Sequence, residues 1–264
     1  HNMFKDKVVW ITGASSGIGE SMAVQVANEG GKVVLSARTE SKLQELKAKL
    51  QNSEYHLIIP LDLEKSGNFE DLVKQVKDHF GRIDFLFNNG GKSQRSEVHE
   101  TPLDVDRRIM EINYFGNIAL AKAILPVFRQ QKSGHYLIIS SIAGKFGFFL
   151  RSAYSASKHA LHGFYESLRL EEEKNNIHVT IACPGKINTE ISVNAINASG
   201  EKHGIMDHNQ ETGMSAEECA RQLLDAIRRN KKEVLIGNRE IKAVMIKRFL
   251  PKLFWRIIRK QSAT

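Results

Sequence analysis

The sequence predicts a single α/β domain of the doubly wound type: a central parallel sheet of about seven strands flanked by helices. Three observations point there. Short β-branched runs alternate with longer amphipathic segments, the rhythm of strand–helix–strand units. Those runs are apolar throughout, as strands are when helices cover both faces of a sheet. The first run ends in a glycine-rich turn that opens a helix. The chain has 264 residues, 41% of them apolar, enough to bury a sizeable core.

Taken in order, "KVVWIT" (7–12) is a buried strand and the helix after it spans about Gly17 to Glu29. "KVVLSA" (32–37) is the second strand and "SKLQELKAKL" (41–50) a charged helix. "YHLIIPL" (55–61), "IDFLFNN" (83–89), "HYLIIS" (135–140), "HVTIAC" (178–183) and "EVLIG" (233–237) continue the strands. Helices fill the gaps, a long one passing through "MEINYFGNIALAKAIL". Two segments break the rhythm. Residues 190–214 are polar and without a period, and a loop that long inside a compact domain reads as a lid or as disorder. Ser215 with Glu218 then carries a capping-box signature for a new helix. The second is the segment 238–264 beyond the last strand. No repeat or low-complexity linker divides residues 3–237, which read as one domain.

The net charge of +8 is concentrated in that last segment. Arg239 to Lys260 holds eight basic residues against one acid, Glu240, so the body is nearly neutral. That distribution and the lack of any aromatic–basic platform argue against nucleic acid as a partner. The two cysteines, Cys183 and Cys219, have no metal-ligand spacing and fit a reducing, cytoplasmic setting. His1-Asn2 before Met3 reads as a tag remnant. No signal peptide opens the chain, and no apolar run reaches the roughly 18 residues of a spanning helix. A soluble or surface-bound protein is expected.

"TGASSGIG" (12–19) sits between the first strand and first helix. Its glycines, Gly13, Gly17 and Gly19, permit a tight turn and close backbone approach, and the helix start offers amides to a pyrophosphate. The turn residues Gly13, Ser15, Ser16, Gly17, Ile18 and Gly19 are therefore candidates for holding a dinucleotide in a Rossmann-type site. The second strand ends "LSAR", with Arg38 where NAD-selective sites tend to carry an acid. An arginine there can pair with a 2′-phosphate, which favours NADP(H) and leaves NAD(H) as the alternative. Asp62, in "PLDLE", is placed to accept from an adenine amino group or to cap a helix.

Tyr154 and Lys158 in "YSASK" stand one helical turn apart and point the same way. Carbonyl reduction needs a proton donor and alcohol oxidation a base. A free phenol with a pKa near 10 serves neither well at neutral pH, and an ammonium one turn away lowers it. A further group should hydrogen-bond the substrate oxygen, and Ser141 ends the strand 13 residues upstream. Ser140 competes, but strand alternation lets only one face the cleft.

With "NNGG" (88–91), "MEINYFG" (110–116), "SSIAG" (140–144) and "PGKINT" (184–189) added in order, the chain resembles the classical short-chain dehydrogenase/reductase family from about Lys7 to Gly237. The resemblance implies a single nucleotide-binding catalytic domain over 3–237. It implies Tyr154 as acid/base, Ser141 positioning the carbonyl, Lys158 binding the ribose and tuning Tyr154, and Asn113 holding a water in a proton relay. It adds Leu63, Asn89, Gly90, Pro184, Gly185, Ile187 and Thr189 to the cofactor cleft. It also implies a small-molecule substrate and a homodimer or homotetramer. Gly90 departs from the usual alanine, which loosens that turn without removing a functional group. "GGKSQRS" (90–96) is similar to the subgroup around dehydrogenase/reductase member 7, whose relatives reduce lipophilic carbonyls.

The pocket should be roofed by residues 144–151 and by the lid. Phe146 and Phe148 are candidate substrate contacts beside Ser141 and Tyr154, with Phe149 and Leu150 next to them; an apolar wall suits a hydrophobic carbonyl. In "PKLFWRIIRKQ" (251–261), Leu253, Phe254, Trp255, Ile257 and Ile258 share a face opposite Lys252, Arg256, Arg259 and Lys260. Such a basic amphipathic helix either lies on a membrane surface or packs over the pocket or a neighbouring subunit.

Overall fold

The computed structural model describes residues 2–264; His1, half of the apparent tag remnant, lies outside them. Its sheet comprises β1 (Val8–Thr12), β2 (Lys32–Ser36), β3 (Leu57–Ile58), β4 (Phe85–Asn88), β5 (Gly134–Ile139), β6 (Ile177–Pro184) and β7 (Glu233–Ile236). Their spatial order is β3-β2-β1-β4-β5-β6-β7, with every pairing parallel. The winding reverses between β1 and β4, and the crevice at the carboxyl ends of strands at such a switch point is where doubly wound sheets bind ligands.

Side-chain alternation along the buried strands builds a core on each face. Val9, Ile11, Val33 and Leu35 pack against α1 (Gly17–Asn28), α2 (Glu40–Lys49) and α7 (Ala216–Arg228) through Met22, Val26, Leu43, Leu223 and Leu224. Val8, Trp10, Val34 and Leu86 point the other way, onto α3 (Phe69–Phe80), α5 (Gly116–Gln131) and α6 (Ser152–Glu172). The Trp10 indole N–H donates to Ser36 Oγ at 2.8 Å and Ser36 donates to the Ile59 carbonyl at 2.6 Å, so the buried polar atoms are paired.

Two expectations need correction and a third gains detail. The strand expected over 55–61 shrinks to Leu57–Ile58, because Ser53–Tyr55 forms a 3₁₀ turn and the buried His56 ring accepts the Val33 N–H at 3.0 Å, taking a place in the ladder. The long helix through 110–125 begins at α4 (Leu103–Met110) and reaches α5 through a π-helical turn, Glu111–Phe115. The segment 190–214 is folded rather than shapeless: Ile196–Asn197 pairs with Gln94–Arg95, His208–Glu211 is a helical turn, and Met214–Ser215 pairs with Ile187–Asn188. Ser215 Oγ accepts the Glu218 N–H at 3.1 Å to cap α7, while the Glu218 carboxylate turns to Arg221 and Gln222, so only half of the capping box forms.

Beyond β7, α8 (Lys242–Phe249) and α9 (Pro251–Ile258) fold back over the carboxyl edge of the sheet. Phe254 is buried against Phe146, ring centres 5.2 Å apart, with Val244 beside them. Leu253 and Trp255, expected on the same face as Phe254, stay 42% and 54% exposed, since one flat neighbour cannot cover so wide an apolar arc. Among the described residues no helix is long and apolar enough to cross a membrane.

Candidate active site

The glycine turn forms because Gly13 and Gly17 hold φ of +61° and +55°, where a side chain is strained. A Cβ on Gly19 would lie 2.2 Å from the Gly13 carbonyl oxygen, so only glycine lets α1 start this close to β1. Ser16 is the N-cap of α1 but makes no side-chain cap, which leaves the first-turn amides for an anion. Thr12 Oγ1 accepts the Asn89 and Gly90 N–H groups at 3.0 and 2.9 Å, and Asn89 Nδ2 donates to the Thr12 and Gly13 carbonyls. Asn89 thus braces the turn as well as facing the cleft. At Gly90 an alanine Cβ would sit 2.9 Å from Leu63 Cδ1; the leucine fills the space the missing methyl leaves.

Arg38 and Asp62 line one surface cavity of about 470 Å³ at the β2–β3 edge. Asp62 Oδ1 accepts the Glu64 N–H at 2.9 Å, so its carboxylate closes a turn rather than capping a helix. Lys92 lies between this edge and the main cleft. Burial, then Arg38, Lys202 and Arg108, push its ammonium down to about 8, so an anion there would relieve the repulsion.

The main cavity, about 650 Å³, lies at the carboxyl ends of β4, β5 and β6. Ile18, Asn89, Pro184, Gly185, Ile187 and Thr189 line it, as do Ser141, Tyr154 and Lys158. Six of the expected dinucleotide contacts therefore share this space with the tyrosine–lysine pair, while Arg38 and Asp62 line the separate cavity at the β2–β3 edge. Phe146 and Phe148 form part of the outer wall with Phe254, Ile257 and Ile258. Phe149 and Leu150, expected there too, instead line an adjoining surface cavity with Trp255, because the chain turns away at Leu150, whose φ is +63°.

Tyr154 and Lys158 are buried and Ser141 is half-buried. Lys158 Nζ donates to the Ile139 carbonyl at 3.0 Å and lies 5.7 Å from the centre of the Tyr154 ring. Burial pushes the lysine down to about 8. Burial also raises the Tyr154 phenol, while the Ser141 hydroxyl and the charges of Arg95 and Arg151 pull it back. Ser141 Oγ accepts the Ala143 N–H at 3.0 Å and faces the cavity. Ser140 also lines the cavity but sets its Oγ 2.8 Å from His162 Nε2, whereas the Ser141 hydroxyl lies beside the phenol.

Asn113 sits in the π turn, a device frequent at functional sites. Its side chain is already engaged: Oδ1 accepts the Lys92 N–H at 2.8 Å, and Nδ2 donates to the Lys92 carbonyl at 2.8 Å and to Ser157 Oγ at 3.1 Å. Ser157 donates in turn to the Tyr154 carbonyl at 2.7 Å. A water in the relay would accordingly meet the backbone here more readily than this amide.

Four residues of the site escaped the sequence reading. Gln94, Arg95, Arg151 and Asp207 come from the loop after β4, the start of α6 and the lid. Arg95 binds Asp207 at 2.6 Å and Arg151 binds it at 3.3 Å, all three side chains at most 10% exposed. Their only sequence signal is "SQR", a glutamine and an arginine among hydroxyls where a strand end should lead into a polar loop. A phenol, a hydroxyl and an ammonium converging in a mostly apolar cavity beside an uncapped helix start can pass a proton to or from an oxygen held against a dinucleotide.

Residues 7–199 match the family model described as short chain dehydrogenase. The chain is 42% identical to mouse dehydrogenase/reductase SDR family member 7B over 98% of its own length and 82% of the mouse protein. It is similar to the crystal structure of a short-chain dehydrogenase from Streptomyces avermitilis, at 26% identity and a TM-score of 0.82 over 96% of both chains. A short-chain dehydrogenase/reductase from Burkholderia phymatum, solved in complex with NAD, shares the fold at a TM-score of 0.85 and 20% identity over 99% of both chains.

Proposed function

Because this chain belongs to the short-chain dehydrogenase/reductase family, near member 7B, and is an NAD(P)-dependent oxidoreductase, we propose that it interconverts a lipophilic carbonyl and a secondary alcohol with NADP(H). The observation that carries this reading is the meeting of Tyr154, Lys158 and Ser141 with the α1 groove in one cavity whose outer wall is phenylalanine and isoleucine. The uncapped α1 amides, Arg38 and Lys92 would hold the dinucleotide. When bound, it supplies or accepts the hydride. Ser141 orients the substrate oxygen and Tyr154 donates or removes its proton. Lys158 leaves the Ile139 carbonyl to hold the ribose and, still charged, eases loss of the phenol proton. Burial keeps the phenol protonated at neutral pH, so Tyr154 rests in the form that donates to a carbonyl.

Titrating NADPH and NADH against the protein by fluorescence tests the cofactor. Arg38→Ala is expected to weaken NADPH binding about 10- to 100-fold, the range of a charge-assisted hydrogen bond, and to leave NADH unchanged. Equal loss for both, or none, would reverse the assignment.

The substrate's lipophilicity suggests where the enzyme works. Met245, Phe249, Leu250, Leu253 and Trp255 are 42–65% exposed on α8, α9 and the joint between them, among Lys247, Arg248, Lys252, Arg256 and Arg259. An apolar patch ringed by cations fits an anionic bilayer surface. Replacing Phe249, Leu253 and Trp255 by serine should abolish sedimentation with phosphatidylserine vesicles while sparing Phe254 and the cavity wall. Unaltered sedimentation, or none in the unsubstituted protein, removes the membrane from the proposal.

A further inference from the structure

Gln94, in the run "SQR", does not line the cavity, yet it is buried at the start of the catalytic helix. α6 begins at Ser152 with Arg151 as its N-cap, and no side chain of its own caps it. The first-turn amides of a helix lack internal partners, and buried ones must find them elsewhere. Here Gln94 provides one atom for two of them. Its Oε1 accepts the Ala153 N–H at 2.9 Å and the Tyr154 N–H at 3.1 Å. Gln94 itself is fully buried.

The acceptor is also held still. Gln94 Nε2 donates to the Ser96 carbonyl and hydroxyl at 3.4 and 3.2 Å and to Ser152 Oγ at 3.3 Å. Gln94–Arg95 pairs with lid residues Ile196–Asn197, and Arg95 grips Asp207 further along the lid. The phenol of Tyr154 is thus referenced through its own backbone N–H to a side chain held by Ser96 and Ser152, on a strand whose backbone the lid pairs.

We propose that Gln94 is a positioning residue: it sets the first turn of α6, and with it the placement of Tyr154, and transmits the seating of the lid to the proton donor. This rests on Tyr154 being that donor. A displacement of about 1 Å at a reacting group costs on the order of 100-fold in rate, so a cap that fixes the backbone of the proton donor reaches the chemistry without touching substrate.

The test uses the full chain with NADPH and phenanthrenequinone as an apolar diketone probe, together with amide hydrogen exchange over 151–156. Gln94→Leu leaves both amides without a partner; Gln94→Glu keeps a carboxylate oxygen to accept them. Gln94→Leu is expected to lower kcat about 10-fold or more, keep the NADPH Kd within about twofold and speed exchange at 153 and 154. Gln94→Glu is expected to restore protection and return kcat to within about threefold of the parent. A folded Gln94→Leu with parental kcat overturns the proposal. So does a folded Gln94→Glu that protects both amides yet turns over as slowly as Gln94→Leu. Should Gln94→Leu fail to fold, Gln94→Glu decides: protection with turnover supports the role, and loss of either overturns it. Tyr154→Phe is the control on the premise, since retained turnover there refutes the donor assignment whatever Gln94 does.

Discussion

Tyr154→Phe is expected to cut turnover roughly 10²–10⁴-fold, the usual worth of a positioned acid or base, while NADPH still binds. Removing the hydroxyl deletes one atom from a buried phenol whose ring packs beside Lys158, so neither the fold nor the α1 groove has reason to change. The variant therefore separates an enzyme from a dinucleotide-binding scaffold, which would lose nothing. Its pH dependence carries a sign. Burial raises the phenol above its ordinary value, so the proton-donating form is present through neutral pH and is lost only as pH climbs through the raised value. Carbonyl reduction by the parent should be level near neutrality and fall in the alkaline range. Alcohol oxidation, which needs the phenolate, should rise over the same interval. A reduction rate that climbs with pH, or turnover that survives Tyr154→Phe, would remove Tyr154 from proton transfer.

The fold was legible because its signals are local. β1, β2, β4, β5 and β6 are buried on both faces along most of their length, so their residues read as largely apolar runs. β3 was misjudged because a side chain, His56, replaces a backbone partner, and no propensity records that. Tyr154 and Lys158 were legible because one helical turn sets their relation before any tertiary contact forms. Gln94, Arg95, Arg151 and Asp207 were not, because their relation exists only once segments as far apart as 112 residues meet. Buried charged and polar side chains written into apparently solvated loops look like surface until the partner is seen. The split face of α9 has the same origin: periodicity groups Phe254 with Trp255, and only packing against Phe146 decides which of them goes inside.

Asp207→Asn is expected to destabilise the protein by about 3–5 kcal/mol, the cost of removing one partner from a buried ion cluster. Asp207 Oδ2 receives the Arg95 Nε and Nη2 at 2.8 and 2.6 Å and Arg151 Nη2 at 3.3 Å. The cluster already holds two cations against one carboxylate, and Arg151 is pushed down to about 10 by burial and by Arg95. Asparagine preserves the shape but leaves two buried guanidinium groups with no counter-charge, and no neighbouring acid is in place to take over. For a chain of this size, with each kcal/mol worth about 2–4 °C, the midpoint should fall by on the order of 6–20 °C. The loss should be largest at the lid, because Arg95 and Arg151 belong to the body and Asp207 to segment 190–214, so limited proteolysis should cut there first. A double variant, Asp207→Asn with Arg95→Gln, removes one cation along with the anion and should recover part of the loss, since the pair is coupled. An unchanged midpoint in Asp207→Asn would mean that the arginines reach solvent without cost, and that the lid is held by its strand pairing alone.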